Sequence, residues 1–597
     1  MNYDQNLFGA ACAACVVVFH PDNKRILAVS RKNDHNDWGI PGGKSEPNET
    51  YIQTAVREFK EEIGIQLNCC YLKPIFDCFA GKYHVRTFEY PYELLDSEFA
   101  PVGTEGIKHS DSEESGKVEW RPFLDIMNGT FGDYNKGLLY EVGKVPQTCS
   151  IVLGAQFGDE GKGKLVDFLV SRLITAGGSL YCLRFNGGSN AGHTVKVGNK
   201  YYYTHLIPSG VICDGVTGIL GNGVVVNIRA LFKEINDFKN NGIDLTGRVL
   251  ISKGAHITTL LHCLIDELEG RLIGTTKQGI GPTYADKMGR KGIRMDTLLD
   301  PSWETKLKTL YDHHRDLLKE YFYDTKFVTT DSDGNKLTFT NTQDLMSYDI
   351  QLLVQHMDAL QSMMVDVGTV LKNPFRPNIF IEGANATMLD VDFGTYPFVT
   401  SSNCTIGGVL TGSGLNLRNL CQMQTEVVGV TKAYITRVGG GVLPTEIKDD
   451  EFYTVGQTIQ KRGNEIGVTT GRIRRCGWLD LPQLKYSCDV NGFTCLNLTK
   501  LDVLSFLDTI SVCVKYIDKN TGTNKNEFPS NETELSKVTP VYETLLGWKD
   551  FDFNTVKCWN QFPRSVKDFI TMIESYVQIP VKYINTGQER DSIIVRE

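Results

Sequence analysis

Three glutamates stand close together in Arg57-Glu58-Phe-Lys-Glu61-Glu62-Ile-Gly64-Ile65. Their i, i+3, i+4 spacing puts them on one face of a helix, opposite a stripe of Ile52, Ala55, Phe59 and Ile63. Such carboxylates repel one another unless a cation sits among them. Mg²⁺ suits the role, because it takes oxygen ligands and completes its shell with water and substrate phosphates. Arg57 can offset part of the charge, and Gly42 and Gly43 let the backbone come close to the helix. A second set of chemistry-bearing residues begins at Gly158-Asp159-Glu160-Gly161-Lys162-Gly163-Lys164. It follows a short apolar strand and opens a helix-like run, a context that aims backbone N–H groups and Lys162 at phosphates. It is not the common GxxxxGK[ST] loop. The glycine spacing differs, and Gly163 stands where a hydroxyl residue is expected.

Further polar, glycine-rich segments follow downstream. They are Asn186-Gly-Gly-Ser-Asn190-Ala-Gly192-His193-Thr194, Gly274-Thr-Thr276 to Pro282, Glu382-Gly-Ala-Asn385, Gly394 to Thr400 and Asn403, Thr469-Thr470-Gly-Arg472-Ile-Arg474-Arg475, and Thr499-Lys500-Leu-Asp502. Arg472 carries a planar, two-pronged donor, and Thr470 is two residues before it. Taken by themselves, Lys500 and Asp502 read as an ordinary pair at a strand end. The basic run Arg472–Arg475 could be a nucleic-acid face, but the preceding Thr-Thr-Gly and the acidic chain argue against it.

The elements that carry these residues can be read from pattern. At 597 residues, the chain has room for roughly three to five domain-sized units. Residues 8–19 and 25–30 read as strands, 50–63 as a helix stopped by Gly64, and 85–94 and 117–120 as more strands. Residues 103–116 form a polar loop. From Ser150 a new pattern starts, with strands near 218–221, 248–251, 378–381 and 426–437 and helices near 302–322 and 343–372. This is a doubly wound α/β pattern. The polar stretch 323–342 reads as a surface insertion. Net charge is −9, so bulk attraction to nucleic acid is not indicated. Sixteen cysteines are scattered, and Cys12 and Cys15 lie in an apolar run that predicts free thiols and not a metal or redox pair. No basic-apolar leader opens the chain and no apolar run nears the ~18 residues that span a bilayer, so a cytoplasmic protein without membrane contact is expected.

The first pattern, with Gly43, Glu49 and the Arg57–Ile65 run in register, resembles the Nudix box, and the likeness covers roughly residues 5–142. It implies an α/β/α sandwich with a mixed sheet, Mg²⁺ on Glu58, Glu61 and Glu62, and hydrolysis of a nucleoside diphosphate joined to some group X. Glu113 or Glu114 is the candidate general base. The remaining segments, in order over roughly 148–595, resemble adenylosuccinate synthetase of the eukaryotic kind. That likeness implies a large doubly wound α/β domain, similar to P-loop proteins, around a mostly parallel sheet. It also implies GTP-driven condensation of IMP with L-aspartate, Mg²⁺ and a homodimer. Domains are expected at 1–146 and 147–597. By the same likeness Asp159 is the base and, with Gly192, holds Mg²⁺; His193 is the general acid and Lys162 a fixed cation. Asn385 faces O6 of the purine. GTP falls to Gly158, Glu160, Gly161, Gly163, Lys164, Lys500, Asp502 and, near the C-terminus, Asn585 and Gly587. IMP falls to Asn190, Thr276, Thr400, Arg474 and Arg290, the last reaching across the dimer. Aspartate falls to Thr470 and Arg472.

Linked in one chain, the two halves suggest a bifunctional purine enzyme: cleavage of ITP or dITP would release a monophosphate, and IMP is the synthetase's own substrate. Two other readings stand beside it. The first domain could be a non-catalytic nucleotide sensor, or the synthetase could act on dGMP, as phage relatives do. Those relatives commonly lack the loop aspartate, and Asp159 favours IMP.

Overall fold

The structure, a computed structural model, describes residues 11–20, 25–31, 34–80, 83–95, 115–127, 129, 132–141, 148–175, 180–197, 200–269, 275–331, 333–371, 378–450, 454–467 and 471–596. Two compact units emerge, the first made of Met1–Gln147 with Leu371–Pro377 and the second of Thr148–Val370 and Asn378–Glu597.

In the first unit a four-stranded sheet runs Gly42–Lys44, Ala11–Val17, Tyr83–Glu89, Lys73–Ala80. Ala11–Val17 pairs parallel with Tyr83–Glu89 and the other pairs are antiparallel, so the sheet is mixed. A second sheet joins Asp34–Gly39, Arg25–Arg31 and Ser115–Pro122. Side chains alternate across the strands. Ala14, Val16, Leu27 and Val29 pack on the helix Tyr51–Ile63, while Ala13, Val17, Ile26 and Ala28 pack with Phe123, Ile126, Leu138 and Leu139 of the helices Phe123–Met127 and Gly132–Glu141. The result is the expected α/β/α sandwich. Thr50 and Gln53 cap the helix reciprocally at its start, and Gly64 ends it in the left-handed region at φ 83°. Its buried face is Tyr51, Thr54, Ala55, Phe59 and Ile63, with Ile52 only half-buried. Tyr51 takes the larger share because its hydroxyl meets His84 Nδ1 at 2.9 Å inside the core. The strand expected over 85–94 stops at Glu89, and Tyr92–Leu94 forms a single tight turn after Pro91, which has no N–H for a ladder. Glu113 and Glu114 lie outside the described residues.

In the second unit ten strands follow one path: Met364–Val365, Val249–Ser252, Val216–Asn227, Leu180–Gly187, Asn378–Ala386, Thr148–Gly154, Gln424–Lys432, Cys495–Thr499, Val581–Asn585 and Ile593–Val595. Every pair along it is parallel except the last. The strand that leads into the phosphate-loop sequence therefore lies mid-sheet, buried on both faces, as its apolar Ile151, Val152 and Leu153 require. The helix expected over 302–322 is two, Trp303–His313 and Arg315–Asp324, broken where His314 turns its Nε2 to Asp286 at 2.9 Å. Residues 343–372 form a helix to Met363 and a second, short one over Val367–Leu371, because Met364–Val365 between them joins the sheet edge. The 323–342 stretch is more structured than its polarity suggested. Phe327–Thr330 and Lys336–Phe339 make a hairpin whose Phe327 and Phe339 stack in the core at 6.3 Å. Among the described residues no helix is long and apolar enough to cross a membrane.

Candidate active sites

After the strand Thr148–Gly154 the chain makes a loop before the helix Lys162–Thr175. Asp159 sits there at φ 57°, a left-handed conformation that costs a non-glycine residue. Buried Glu160 holds the loop from inside. It accepts from Gly158 N at 2.7 Å and Gln156 N at 3.2 Å, and pairs with Lys162 Nζ at 2.9 Å. The sequence marked Glu160 for the nucleotide, but its carboxylate is committed to the loop's own amides. The glycine at 163 also has a cause: a Cβ there would meet His193 Cβ at 3.0 Å. Lys164 points away from the loop. Its Nζ donates to Gly587 O at 2.8 Å and Ser592 O at 3.1 Å, and burial pulls its pKa down to about 8.

A cavity of about 470 Å³ opens beside the loop. Gly158, Asp159, Lys162, Asn190, Gly192, His193, Thr276, Asn385, Thr400 and Arg472 all line it, although they come from widely separated segments. Arg474 stands behind Asp159, joining its Oδ2 at 2.8 Å with one nitrogen and Glu465 Oε2 at 2.6 Å with another. Glu465 also holds Lys432 and Tyr434. Burial would raise the Glu465 pKa, but Lys432, Lys500 and Arg474 hold it at about 2. Arg475 is taken up by Glu446 at 2.7 and 2.9 Å, so the basic run is largely consumed inside the fold. Arg290 is exposed, at φ 59° beyond the helix Ile280–Met288, and is not among the lining residues. Thr470 lies outside the described residues.

Among the buried polar atoms of this cavity's lining residues, His193 Nε2 and Asn385 Oδ1 have no hydrogen-bond partner among the described residues. Such atoms call for a ligand or water. The other side of the His193 ring is committed to Glu382, which Ser209 and Arg184 also hold. Burial lowers the His193 pKa and Glu382 opposes the shift. Glu382, Arg184, Ser209, Glu465 and Arg437 escaped the sequence reading, since a buried ion pair has no local signature. Arg437 lines the cavity between Phe157 and Phe398, its guanidinium 4.8 and 5.8 Å from their rings.

A second cavity, about 450 Å³, is lined by Asp502 and Gly587 with Arg462, Ser505, Lys196 and Glu589. Asn585 ends the neighbouring strand, buried, and its Oδ1 has no partner among the described residues. Lys500 anchors its Nζ on Gly463 O at 2.9 Å. The loop that carries Gly587 is tied down by Lys164, by Arg590 on buried Asp167 (2.6 Å), and by Lys196 on Glu589.

In the first unit the helix brings its glutamates to Gly42–Lys44. Gly42 N donates to Glu62 Oε2 at 2.8 Å, and a Cβ on Gly43 would lie 2.4 Å from the Glu58 carboxyl. Arg57 braces Glu49 at 2.8 Å, Glu58 at 2.9 Å and Glu61 at 3.0 Å. The hydrogen bond from Arg57 chiefly holds the Glu49 pKa at about 2. Among the described residues no three acidic, His or Cys side chains are already gathered in metal-ligand geometry. The donor set nevertheless suits Mg²⁺: carboxylate oxygens on one helix face beside a bare glycine backbone. In the second unit Asp159 and Gly192 line one cavity, and a carboxylate and a peptide carbonyl are the kind of hard oxygen donors that Mg²⁺ takes. Cys12 and Cys15 are in no disulfide; the Tyr51 hydroxyl donates to Cys12 Sγ at 3.2 Å, and burial pushes Cys15 up to about 12.

A glycine-rich loop after a mid-sheet parallel strand, one cavity lined by Asp159, Lys162 and His193 and a second lined by Asp502 are parts that suit a nucleotide-dependent enzyme. Residues 151–594 match the adenylosuccinate synthetase family and residues 10–140 match the NUDIX domain. The chain is 42% identical over 461 residues to adenylosuccinate synthetase of Schistosoma japonicum, covering 76% of this chain and 99% of that one. It is 40% identical over 464 residues to the Candida dubliniensis synthetase, covering 75% and 100%. The solved structure of fully ligated adenylosuccinate synthetase from Plasmodium falciparum superposes with a TM-score of 0.65 at 39% identity, covering 75% of this chain and 99% of that chain. The chain therefore belongs to the adenylosuccinate synthetase family and carries a Nudix hydrolase domain ahead of it.

Proposed function

We propose that the 147–597 domain condenses IMP with L-aspartate at the expense of GTP, and that the 1–146 domain hydrolyses a nucleotide that feeds it. One observation carries the synthetase reading: Asp159, the unpartnered His193 Nε2 and the unpartnered Asn385 Oδ1 converge on one cavity. Asp159 takes the N1 proton of IMP, so that O6 attacks the γ-phosphorus of GTP and GDP departs. The amine of aspartate then attacks C6 and expels O6 as phosphate. His193 meets the transferring phosphoryl through Nε2, and Lys162 is the fixed cation beside it. Mg²⁺ on Asp159 and Gly192 would neutralise phosphate charge. Asn385 orients the purine; Asn190, Thr276, Thr400 and Arg474 hold the rest of IMP, and Arg472 and Thr470 take aspartate. The exposed position of Arg290 supports a homodimer in which it serves the partner's IMP. Asp159→Asn and His193→Ala are each expected to lower kcat at least about 100-fold; turnover near wild type would refute these roles. Steady-state comparison of IMP with dGMP tests the choice of substrate, with IMP preferred.

For the Nudix domain the proposed reaction is ITP or dITP plus water to the monophosphate and pyrophosphate, on Mg²⁺ held by Glu58, Glu61 and Glu62. Covalent linkage to an IMP-consuming enzyme and the chemistry of the product support it. The full chain, with GTP and aspartate withheld, should release IMP from ITP in a panel with dITP, dGTP, ADP-ribose and diadenosine polyphosphates. Failure on both inosine nucleotides refutes it. Glu61→Gln and Glu62→Gln should abolish hydrolysis; binding without hydrolysis in the wild type would make the domain a sensor.

A further inference from the structure

We infer that Glu382 is a positioning residue that decides which ring nitrogen of His193 faces the substrate. The inference rests on the reading above, in which His193 acts on the transferring phosphoryl group.

Glu382 lies wholly buried on the strand Asn378–Ala386. Its Oε2 accepts from the backbone N–H of Ser209 at 2.7 Å, and its Oε1 accepts from Ser209 Oγ at 2.7 Å and also contacts His193 Nδ1. Arg184 stands 3.7 Å from Oε2. The two Glu382 oxygens accept from the Ser209 N–H and hydroxyl with the Arg184 guanidinium beside them, an environment that favours the carboxylate. A carboxylate can only accept. The proton in the His193–Glu382 bond must therefore sit on Nδ1. Arg184 also approaches Nδ1, at 3.2 Å, but it cannot donate into a protonated nitrogen; its other terminal nitrogen donates to His205 O at 2.8 Å. With Nδ1 committed, Nε2 is the ring nitrogen left to act in the cavity that His193 lines, and it has no partner among the described residues.

The amide in Glu382→Gln forces the opposite arrangement. Ser209 N–H still needs an acceptor, so the amide oxygen stays there and the NH₂ turns to His193. Nδ1 must then accept, and the proton moves to Nε2. The same substitution in a Ser-His-Asp triad swaps the tautomer and costs about 10⁴-fold.

The test is Glu382→Gln in the full chain, with ¹⁵N-histidine spectra at pH 8 and steady-state kinetics. Expected are a proton on His193 Nδ1 in the wild type and on Nε2 in the variant. The kcat should fall at least about 100-fold, with KM for IMP within threefold, and Glu382→Asp should recover at least tenfold over the amide. A wild-type Nδ1 without a proton overturns the proposal, even if Glu382→Gln does not fold. So does a folded Glu382→Gln enzyme with kcat within threefold of wild type. His193→Asn separates the two layers. Loss of turnover there with a normal Glu382→Gln enzyme removes the positioning role alone. A normal His193→Asn enzyme removes the role of His193 itself.

Discussion

Replacing Arg474 by lysine tests how the loop base is held. The guanidinium spans two carboxylates with two nitrogens, Asp159 at 2.8 Å and Glu465 at 2.6 Å. A lysine has one nitrogen and cannot bridge both. Glu465 keeps Lys432 at 3.1 Å and the Tyr434 hydroxyl at 2.6 Å, so the loss falls on Asp159. A hydrogen bond between charged groups contributes about 1.5–3 kcal/mol. The Asp159 side chain is 35% exposed, so screening reduces this to about 1–2 kcal/mol. That predicts a fall of about 5- to 30-fold in kcat/KM for IMP, read from initial rates of adenylosuccinate formation. KM for GTP should stay within twofold, because Arg474 does not line the cavity of Asp502 and Gly587. A variant with unchanged kcat/KM, or one impaired only in GTP, would refute the bridging argument.

Asp502→Asn should shift the nucleotide preference from GTP towards XTP, because an amide offers one acceptor and one donor and so matches N1–H and the 2-oxo group; competition kinetics with the two triphosphates would show it. Gly43→Ala should stop Nudix hydrolysis and spare the synthetase. The new Cβ would lie 2.4 Å from the Glu58 carboxyl, and a displacement of about 1 Å can cost about 100-fold; both activities are measured on the same preparation. Lys164 has its folded pKa depressed from 10.5 to about 8 by burial. Between those values the unfolded chain binds the proton and the folded one does not, so its contribution to stability rises with pH across that window. Denaturant titrations should show the wild type gaining on Lys164→Met from pH 8 to 10.

The parts of this molecule legible in its sequence are those whose signal is local. The helix Tyr51–Ile63 carried an apolar stripe and a terminal glycine, close together in the chain. The phosphate loop carried its strand, glycines and lysine in one run. What the sequence hid depends on contacts between distant segments. Glu382 sits three residues from Asn385, in a motif already marked, yet only the fold shows that Ser209, Arg184 and His193 surround it. Lys164 looked like a phosphate ligand because of its position, but tertiary packing turns it to Gly587 and Ser592. The 323–342 stretch looked polar throughout, and its two core phenylalanines became visible only when the hairpin paired them.

The central claim is that O6 of the purine is phosphorylated before aspartate displaces it. Incubating the full chain with [6-¹⁸O]IMP, GTP and aspartate tests it directly by mass analysis of the phosphate formed. The account predicts one ¹⁸O in each inorganic phosphate for every adenylosuccinate made. Phosphate free of the label, with the ¹⁸O released to water, would contradict it.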